Sequence, residues 1–288
     1  MQNIHPDSDR VHPCFDDEAR RKYARVHVPV APFCNVQCNY CNRKFDCVNE
    51  TRPGVTSKLL SPTEAVGYVD QVVIEYPNTS VVGVAGPGDP FADPDRTLET
   101  FRLVRESFPK MHLCVATNGL DLARYVRDLE ALRVGHVTIT INAVYPTIGA
   151  KIYRWVRKNG KLFIGEKGAE ALLESQLEGL DALVAAGITV KINTVVLPGI
   201  NFDHVADIAE MVGSRGASVI NCISFIPVKS TIFEELTPPS AAAMKMLRKE
   251  VRRYLPTMNH CARCRADAKG MLSRSREDTN WKIRCGSM

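Results

Sequence analysis

Residues 25–42 read RVHVPVAPFCNVQCNYCN and join a β-rich run to a loop with three closely spaced cysteines. Five further runs with strand character follow, each separated from the next by a helix-like segment. The six predicted strands are 25–30, 81–86, 112–117, 136–141, 189–196 and 218–226. Strands that alternate with helices imply parallel βαβ units. Six such units predict an α/β fold, an incomplete (β/α)6 barrel, with functional residues at the C-terminal ends of its strands.

The same pattern suggests a division of the chain into three parts. The helices are predicted at 62–76, 95–107, 119–132, 167–186, 203–215 and 238–255. The strands and helices together predict a partial barrel over residues 25–255. We expect an N-terminal arm over residues 1–24 and a C-terminal tail over residues 256–288, and both carry cysteines.

The bulk composition excludes several classes of function. The chain has 288 residues, of which 45% are hydrophobic, and a formal net charge of +5. The basic residues are spread along the chain, so we expect no nucleic-acid partner, although anionic small molecules remain possible. There is no run of 18 apolar residues and no signal-peptide core. We therefore expect no membrane partner and a cytoplasmic location.

Ten cysteines are a high count for such a protein. In a reducing compartment, short-spaced cysteines indicate metal or cluster ligation rather than disulfides. Cys34, Cys38 and Cys41 have the spacing C-x3-C-x2-C, so their thiolates can hold three irons of a four-iron cubane. The fourth iron is then open to the amino and carboxylate groups of S-adenosylmethionine (SAM), whose cleavage gives a 5′-deoxyadenosyl radical. The alternatives are a zinc knuckle, which usually pairs two C-x2-C steps, or buried thiols.

This loop resembles the signature of the radical SAM superfamily, and later strand ends add to the resemblance. The segment Gly86-Pro87-Gly88-Asp89-Pro90 resembles the glycine-rich segment that meets the SAM methionine, with Asp89 in place of a frequent glutamate. The turn Ala116-Thr117-Asn118-Gly119 resembles the superfamily's T-N-G turn. The resemblance implies SAM contacts at the following positions: Gly86, Gly88, Asp89, Thr117, Asn118, Thr140, Asn142, Ile192 and Asn193. Each of these residues alone could equally be part of the scaffold.

A more specific resemblance is to the NifB family of nitrogenase cofactor maturases, in its short, stand-alone form. The matching segments are HPCF at 12–15, VAPFCNVQCNYCNRKFDC at 30–47, NETRPGV at 49–55, VAGPGDP at 84–90, ATNG at 116–119 and CARC at 261–264. The resemblance implies fusion of two [4Fe-4S] clusters, with an added sulfur and a carbide from the SAM methyl group. The implied product is the [8Fe-9S-C] precursor of the nitrogenase cofactors.

The resemblance also implies two further [4Fe-4S] clusters as substrates. Their ligands are expected in two groups, His27 with Cys47 and Cys114, and Cys14 with Cys261 and Cys264; the grouping is less certain than the set. Glu50 and Arg52 are candidates for proton handling or for docking these clusters, and a loop ion pair is the alternative. We expect Cys222 to be buried on an apolar strand. Cys285 is expected to be a thiol without a ligand role or an alternative ligand in the tail.

The resemblance also suggests protein partners. They are a cluster donor, a cofactor carrier or scaffold protein of nitrogenase assembly, and an electron donor such as ferredoxin. Two other functions stay open. One is another radical SAM enzyme with auxiliary clusters, of the peptide maturase type. The other is a non-catalytic zinc or iron–sulfur sensor, which would need a partner-binding element that we do not find.

Overall fold

The computed structural model describes residues 12–49, 54–261 and 264–272. Two of the predicted site residues, Glu50 and Arg52, lie outside the described residues, as does Cys285. The strands in the described part of the chain are β1 (Ala24–His27), β2 (Val36–Cys38), β3 (Thr79–Val84), β4 (His112–Thr117), β5 (Val134–Thr140), β6 (Tyr153–Lys158), β7 (Lys161–Phe163), β8 (Thr189–Val196), β9 (Val219–Ser224) and β10 (Lys269–Met271).

Six of these strands form the parallel sheet that the sequence predicts. The order in the sheet is β10-β1-β3-β4-β5-β8-β9, and all neighbouring pairs from β1 to β9 are parallel. The incomplete (β/α)6 barrel is therefore confirmed. The seventh strand, β10, comes from the tail and runs antiparallel to β1. The boundaries of the three predicted parts stay a prediction, but the tail contributes an edge strand to the barrel sheet.

The helices cover the outer face of this sheet. They are α1 (Ala19–Lys22), α2 (Pro62–Glu75), α3 (Pro94–Ser107), α4 (Val126–Ala131), α5 (Pro146–Ile152), α6 (Gly165–Ala185), α7 (Val205–Ser214) and α8 (Ala241–Val251). Helix α2 begins with a capping box, in which the Ser61 hydroxyl accepts from the backbone N–H of Glu64 and the Glu64 carboxylate accepts from that of Ser61. These reciprocal bonds satisfy two backbone donors and fix where the helix starts.

Three predicted helices are shorter than expected. The one predicted at 238–255 is limited to α8, Ala241–Val251. The one predicted at 119–132 starts as a 3-10 turn over Leu122–Tyr125 and becomes α4 only afterwards. The one predicted at 203–215 likewise starts as a 3-10 turn over Phe202–His204 before α7. Such turns are common at helix ends, because the first backbone N–H groups have no partner within the helix.

A second, three-stranded antiparallel sheet of order β2-β6-β7 was not predicted from the sequence. Strands β6 and β7 form a hairpin whose turn holds Asn159 and Gly160, both with positive φ (52° and 73°). An Asn-Gly pair between two short extended runs is a strong signal for such a turn. The third strand, β2, belongs to the three-cysteine loop and pairs with β6. This sheet therefore anchors the loop.

The apolar core lies between the large sheet and the helices. Its buried members include Val82, Phe101, Leu113, Ile139 and Leu180. A smaller apolar cluster around Tyr40, Ile152 and Phe225 lies behind the three-cysteine loop. The inner face of the sheet is different, because it carries polar side chains and cysteines. No helix in the described ranges is both long and apolar enough to cross a membrane.

Candidate active site

The three-cysteine loop is held in shape by its pairing with β6 and by hydrogen bonds within the loop. Cys38 pairs with Tyr153 across β2 and β6. The Gln37 amide donates to the carbonyl oxygens of Cys38 (3.0 Å) and Cys41 (2.7 Å), and the Cys41 N–H donates to Cys38 O at 3.1 Å. With its carbonyl groups bonded in this way, the loop can present its thiols rather than its backbone.

A first cavity is lined by all three cysteines of this loop and by strand-end residues. The strand-end residues on its wall are Gly88, Asp89, Thr117, Asn118 and Thr140. Burial raises the pKa of the Cys34 thiol to about 12 and also raises the pKa of Cys38. Such thiols ionise only when a cation replaces the proton, so the donor set suits a metal cluster better than a nucleophile.

Asp89 joins two walls of this cavity. Its carboxylate accepts from the Thr117 hydroxyl (3.0 Å), from the Asn118 backbone N–H (2.6 Å) and from the Phe91 backbone N–H (3.0 Å). Burial raises the pKa of this carboxyl to about 6. Asp89 therefore ties the loop after β3 to the turn after β4.

Gly88 lies directly against the three-cysteine loop. Its N–H donates to Ala31 O at 2.6 Å, and the following N–H of Asp89 donates to Phe33 O at 2.6 Å. A Cβ added at Gly88 would lie 1.9 Å from Phe33 O and 2.6 Å from Phe33 C. Only glycine permits this approach, since the obstructing atoms belong to the backbone.

We expect Gly88→Ala to separate the two loops, to lower stability by about 1–3 kcal/mol through overpacking, and to weaken SAM binding. Thermal unfolding and equilibrium SAM binding measure these effects. The matched control is Gly67→Ala in α2, where an added Cβ meets nothing within 4 Å. The control is expected to be neutral or slightly stabilised, because alanine favours helix by up to about 1 kcal/mol. Unchanged SAM affinity in Gly88→Ala would contradict the assignment of this loop to the SAM site.

A buried polar network behind the cavity was missed in part by the sequence analysis. The Tyr40 hydroxyl donates to Asn49 Oδ1 at 2.6 Å and accepts from Asn142 Nδ2 at 2.7 Å. The Gln176 amide, from α6, donates to the carbonyl oxygens of Asn118 and Thr140, both at 2.8 Å. The sequence analysis predicted neither Asn49 nor Gln176. The available signal for Gln176 was a glutamine among the apolar positions of an amphipathic helix.

Four of the expected SAM contacts are not among the residues that line the first cavity: Gly86, Asn142, Ile192 and Asn193. Asn142 is fully buried and holds Tyr40 in place. The side chain of Ile192 lies in the core between sheet and helices, whereas Asn193 lies on the inner face and lines the second cavity, described next. Alternate residues of a strand face opposite sides, so both cannot point inward. The side chain of Ile192 thus does not reach either cavity. Gly86 adopts a φ of +130° and shapes the turn before Gly88.

A second cavity opens inside the barrel beside the first. Five of the predicted ligands line it, contributed by the arm, the strands and the tail: Cys14, His27, Cys114, Cys261 and Cys264. Ala116 lines both cavities, which are therefore adjacent. The fold thus brings together side chains that are nearly 250 residues apart in the chain.

His27 and Cys114 meet across Gly83. A Cβ added at Gly83 would lie 2.8 Å from the Cys114 Sγ and 3.2 Å from the His27 Cδ2. Burial lowers the pKa of His27 to about 3, so the imidazole is neutral. Its Nδ1 lies 3.3 Å from Arg265 O. A proton on Nδ1 donated to that carbonyl leaves the lone pair on Nε2, which is the form that binds a metal.

The N-terminal arm and the tail meet at the other side of this cavity. His260 Nε2 lies 3.0 Å from Pro13 O, next to Cys14. Burial raises the pKa of Cys14 to about 11. The nearby thiols of Cys264 and Cys261 also raise this pKa, whereas the positive charges of Lys191 and Arg25 lower it. Cys14, Cys261 and Cys264 line the same cavity, so Cys14 lies close to the tail cysteines.

The remaining cysteines are distributed as follows. Cys47 lines the first cavity rather than the second, and its N–H donates to Pro87 O at 3.1 Å. Cys222 is completely buried in the apolar core, as the sequence suggests. The described cysteines form no disulfide with one another. No three His, Cys, Asp or Glu side chains among residues 12–49, 54–261 and 264–272 converge as a single metal ion would require.

This arrangement is that of a radical SAM protein. Residues 28–212, well over half of the chain, match the radical SAM superfamily, and the chain belongs to it. Membership implies a [4Fe-4S] cluster and SAM as cofactors. Solved structures agree on the fold. Methylornithine synthase (PylB) superposes with a TM-score of 0.53 at 14% identity, over 83% of this chain and 65% of that one.

The particular relatives are nitrogenase cofactor proteins. The chain is 51% identical over 93% of its length to the FeMo cofactor biosynthesis protein NifB of Chlorobaculum tepidum, of which it covers 63%. It is 45% identical over 93% of its length to the protein of that name from Azotobacter vinelandii, of which it covers 54%. The chain thus spans a little over half to just under two thirds of the length of these relatives.

Proposed function

We propose that this protein fuses two [4Fe-4S] substrate clusters, with one added sulfur and a carbide from the SAM methyl group, into the [8Fe-9S-C] precursor of the nitrogenase cofactors. One observation carries the proposal. Two adjacent cavities share Ala116, and one presents a three-cysteine SAM loop while the other presents five soft ligands from separate segments. A cofactor cavity beside a cavity of thiol and imidazole ligands is what this reaction requires. The named relatives support the same product class.

Cys34, Cys38 and Cys41 would hold the cofactor cluster in the first cavity. When bound, that cluster would supply the electron that cleaves SAM. Gly88 lets its loop lie directly against the three-cysteine loop, where its backbone would meet the methionine end of SAM, and Asp89 ties that loop to the turn after β4. Thr117, Asn118 and Thr140 would contact the remainder of SAM, since they line the same cavity.

The two substrate clusters would be held in the groups that the family resemblance implies. His27, Cys47 and Cys114 would bind one, and Cys14, Cys261 and Cys264 the other. Because Cys47 lines the first cavity while His27 and Cys114 line the second, the first group spans the junction of the two cavities. A cluster held there would lie next to the SAM methyl group. The single imidazole is a weaker ligand than thiolate for iron and would ease release of the product.

Glu50 and Arg52 would handle protons or dock the substrate clusters. They follow Asn49, which lines the first cavity and accepts a hydrogen bond from Tyr40. Glu50 and Arg52 themselves lie outside the described residues. The protein partners would be a cluster donor, a cofactor carrier or scaffold protein, and an electron donor such as ferredoxin.

The position of Gly83 offers a test of the substrate-cluster site. We expect Gly83→Ala to push Cys114 and His27 apart and to lower the occupancy of one substrate cluster, while the SAM cluster is retained. Iron analysis and EPR after anaerobic reconstitution would measure this. Gly135→Ala in β5 is the matched control, because its added Cβ meets nothing within 4 Å. Equal iron content in both variants would argue against His27 and Cys114 as ligands.

Metal analysis tests the proposal as a whole. Three clusters correspond to about twelve irons and twelve sulfides per chain. A radical SAM enzyme without substrate clusters would hold about four, and a zinc sensor would hold one or two zincs. EPR before and after addition of SAM then separates substrate clusters from permanent auxiliary clusters. Substrate clusters lose their four-iron signals as an eight-iron species forms, whereas auxiliary clusters keep theirs.

A further inference from the structure

We propose that Lys191 and Arg25 act as a positioning pair whose buried positive charges hold an anionic iron–sulfur cluster in the second cavity. This inference rests on the proposed function, because it concerns the substrate cluster near Cys14, Cys261 and Cys264. Neither residue belongs to the predicted ligand set, and neither lies in the segments through which the sequence resembles the NifB family.

Both cations lie inside the barrel. Arg25 is on β1 and Lys191 is on β8, and they are only 5% and 8% exposed. Residues two apart in a strand share a face. Arg25 therefore shares the inner face with His27, and Lys191 shares it with Asn193. Arg25 lies two residues before His27, and Lys191 lies two residues before Asn193. Each cation is therefore deeper in the barrel than the polar residue that follows it on the same face. Lys191 lines the second cavity, and Arg25 lies beside it, against the lining residue Cys264.

Each cation is held close to the proposed ligands. The Arg25 guanidinium lies with Nη2 2.9 Å from the Cys264 Sγ, and its Nη1 donates to the Gly270 carbonyl of β10. The Lys191 ammonium lies 5.4 Å from the centre of the Phe15 ring, next to Cys14 in the chain, and lines the cavity. One cation thus approaches from the tail side and the other from the arm side.

The residues that line the cavity favour an anion of this kind. No aspartate or glutamate is among the described residues that line it. A four-iron cluster with three thiolates has a net negative charge, which increases on reduction. Moving that charge into a low-dielectric interior is costly unless opposite charges are already in place. Lys191 in the cavity lining and Arg25 against the Cys264 thiol would provide this compensation.

A purely structural role for the same cations predicts different behaviour. If Lys191 only packs on Phe15, its loss changes thermal stability but not the cluster. If it compensates the cluster, its loss weakens cluster retention and makes reduction harder, because the potential of such clusters follows the charge around them. The reduction potential is thus the readout that separates the two roles.

The test uses the full chain, reconstituted anaerobically with iron and sulfide, as wild type, Lys191→Gln and Lys191→Arg. We expect Lys191→Gln to release the second-cavity iron to a chelator about tenfold faster, the lower end of effects for groups around a metal ligand. We also expect a more negative cluster potential in an EPR-monitored titration. Lys191→Arg keeps the charge and should remain close to wild type. Lys161→Gln, on the exposed part of β7, is the control for loss of a lysine.

The outcomes distinguish this inference from the function on which it rests. If the wild type holds all three clusters and Lys191→Gln matches it in the rate of iron release and in cluster potential, the inference is overturned and the function stays intact. Wild type that holds only the Cys34/Cys38/Cys41 cluster would overturn both. Arg25→Lys gives a second measurement, since it keeps the charge but loses the planar guanidinium that reaches Cys264. A modest loss of retention with a nearly unchanged potential supports the inference, and a strongly lowered potential overturns its electrostatic basis.

Discussion

Replacing Cys34, Cys38 and Cys41 together with alanine is expected to abolish SAM cleavage completely. The three thiols share one anchored loop and one cavity, and no other described cysteine except Cys47 lines that cavity. Without them the cofactor cluster has no site, so the electron that cleaves SAM is not delivered. The measurement is 5′-deoxyadenosine production under reducing, anaerobic conditions.

The same variant is expected to retain the iron of the second cavity. Cys14, His27, Cys114, Cys261 and Cys264 belong to other segments and keep their own contacts. Iron content should therefore fall by about four per chain rather than to zero. A matched control is Cys222→Ala, in the apolar core, which removes a cysteine without touching either cavity. Continued production of 5′-deoxyadenosine by the triple variant would show that the cofactor cluster has been wrongly placed.

His27→Ala is expected to block formation of the eight-iron product while SAM cleavage largely persists. The neutral imidazole lies beside Cys114 and has its Nδ1 near the Arg265 carbonyl, so its Nε2 is the nitrogen available to iron. Its loss leaves one substrate cluster with two ligands, whereas the Cys34/Cys38/Cys41 cluster keeps all three. Product yield and 5′-deoxyadenosine are measured side by side.

Pulsed EPR provides a direct check on the role of His27. We expect nitrogen coupling from a histidine to a reduced cluster before SAM is added, and its disappearance in His27→Ala. His204→Ala is the matched control, because this half-exposed histidine lies before α7 and contacts Asp207. If the wild type shows no histidine coupling and His27→Ala keeps its full iron content, then His27 is an ordinary buried histidine.

The parallel sheet could be predicted because hydrophobic periodicity and helix caps are local signals. β4 and β8 have the predicted bounds, 112–117 and 189–196. The first strand ends three residues early, at His27 rather than Val30. The cause is Pro29, which has no N–H to donate and so interrupts the ladder. Val28 still donates to Gly83 O at 2.9 Å, so the strand ends where proline requires it to.

The smaller sheet could not be predicted because its strands are short and one is hidden in the cysteine loop. Strand β2 covers only Val36–Cys38, and it pairs with β6, more than 110 residues later. Only the Asn159-Gly160 turn carried a local signal. Gln176 was missed for a related reason, since its two carbonyl partners lie on separate strand ends that only the fold brings together.

The meeting of the two ends of the chain was the least predictable feature of the site. Nothing in the local sequence brings Cys14 to Cys264, and their expected proximity came only from the resemblance to a family. The structure provides a physical reason. Strand β10 pairs with β1, and Arg25 contacts both Gly270 and Cys264, so the tail lies against the barrel beside the arm.

The most direct test of the central proposal follows the SAM methyl carbon. The reconstituted wild-type protein is reduced anaerobically with SAM carrying a ¹³C methyl group, and the product is examined by pulsed EPR and iron analysis. We expect an eight-iron species with ¹³C coupled to its irons, formed as the four-iron signals decline. Cleavage of SAM with the four-iron clusters unchanged, or an eight-iron species without ¹³C, would contradict the proposed fusion with carbide insertion.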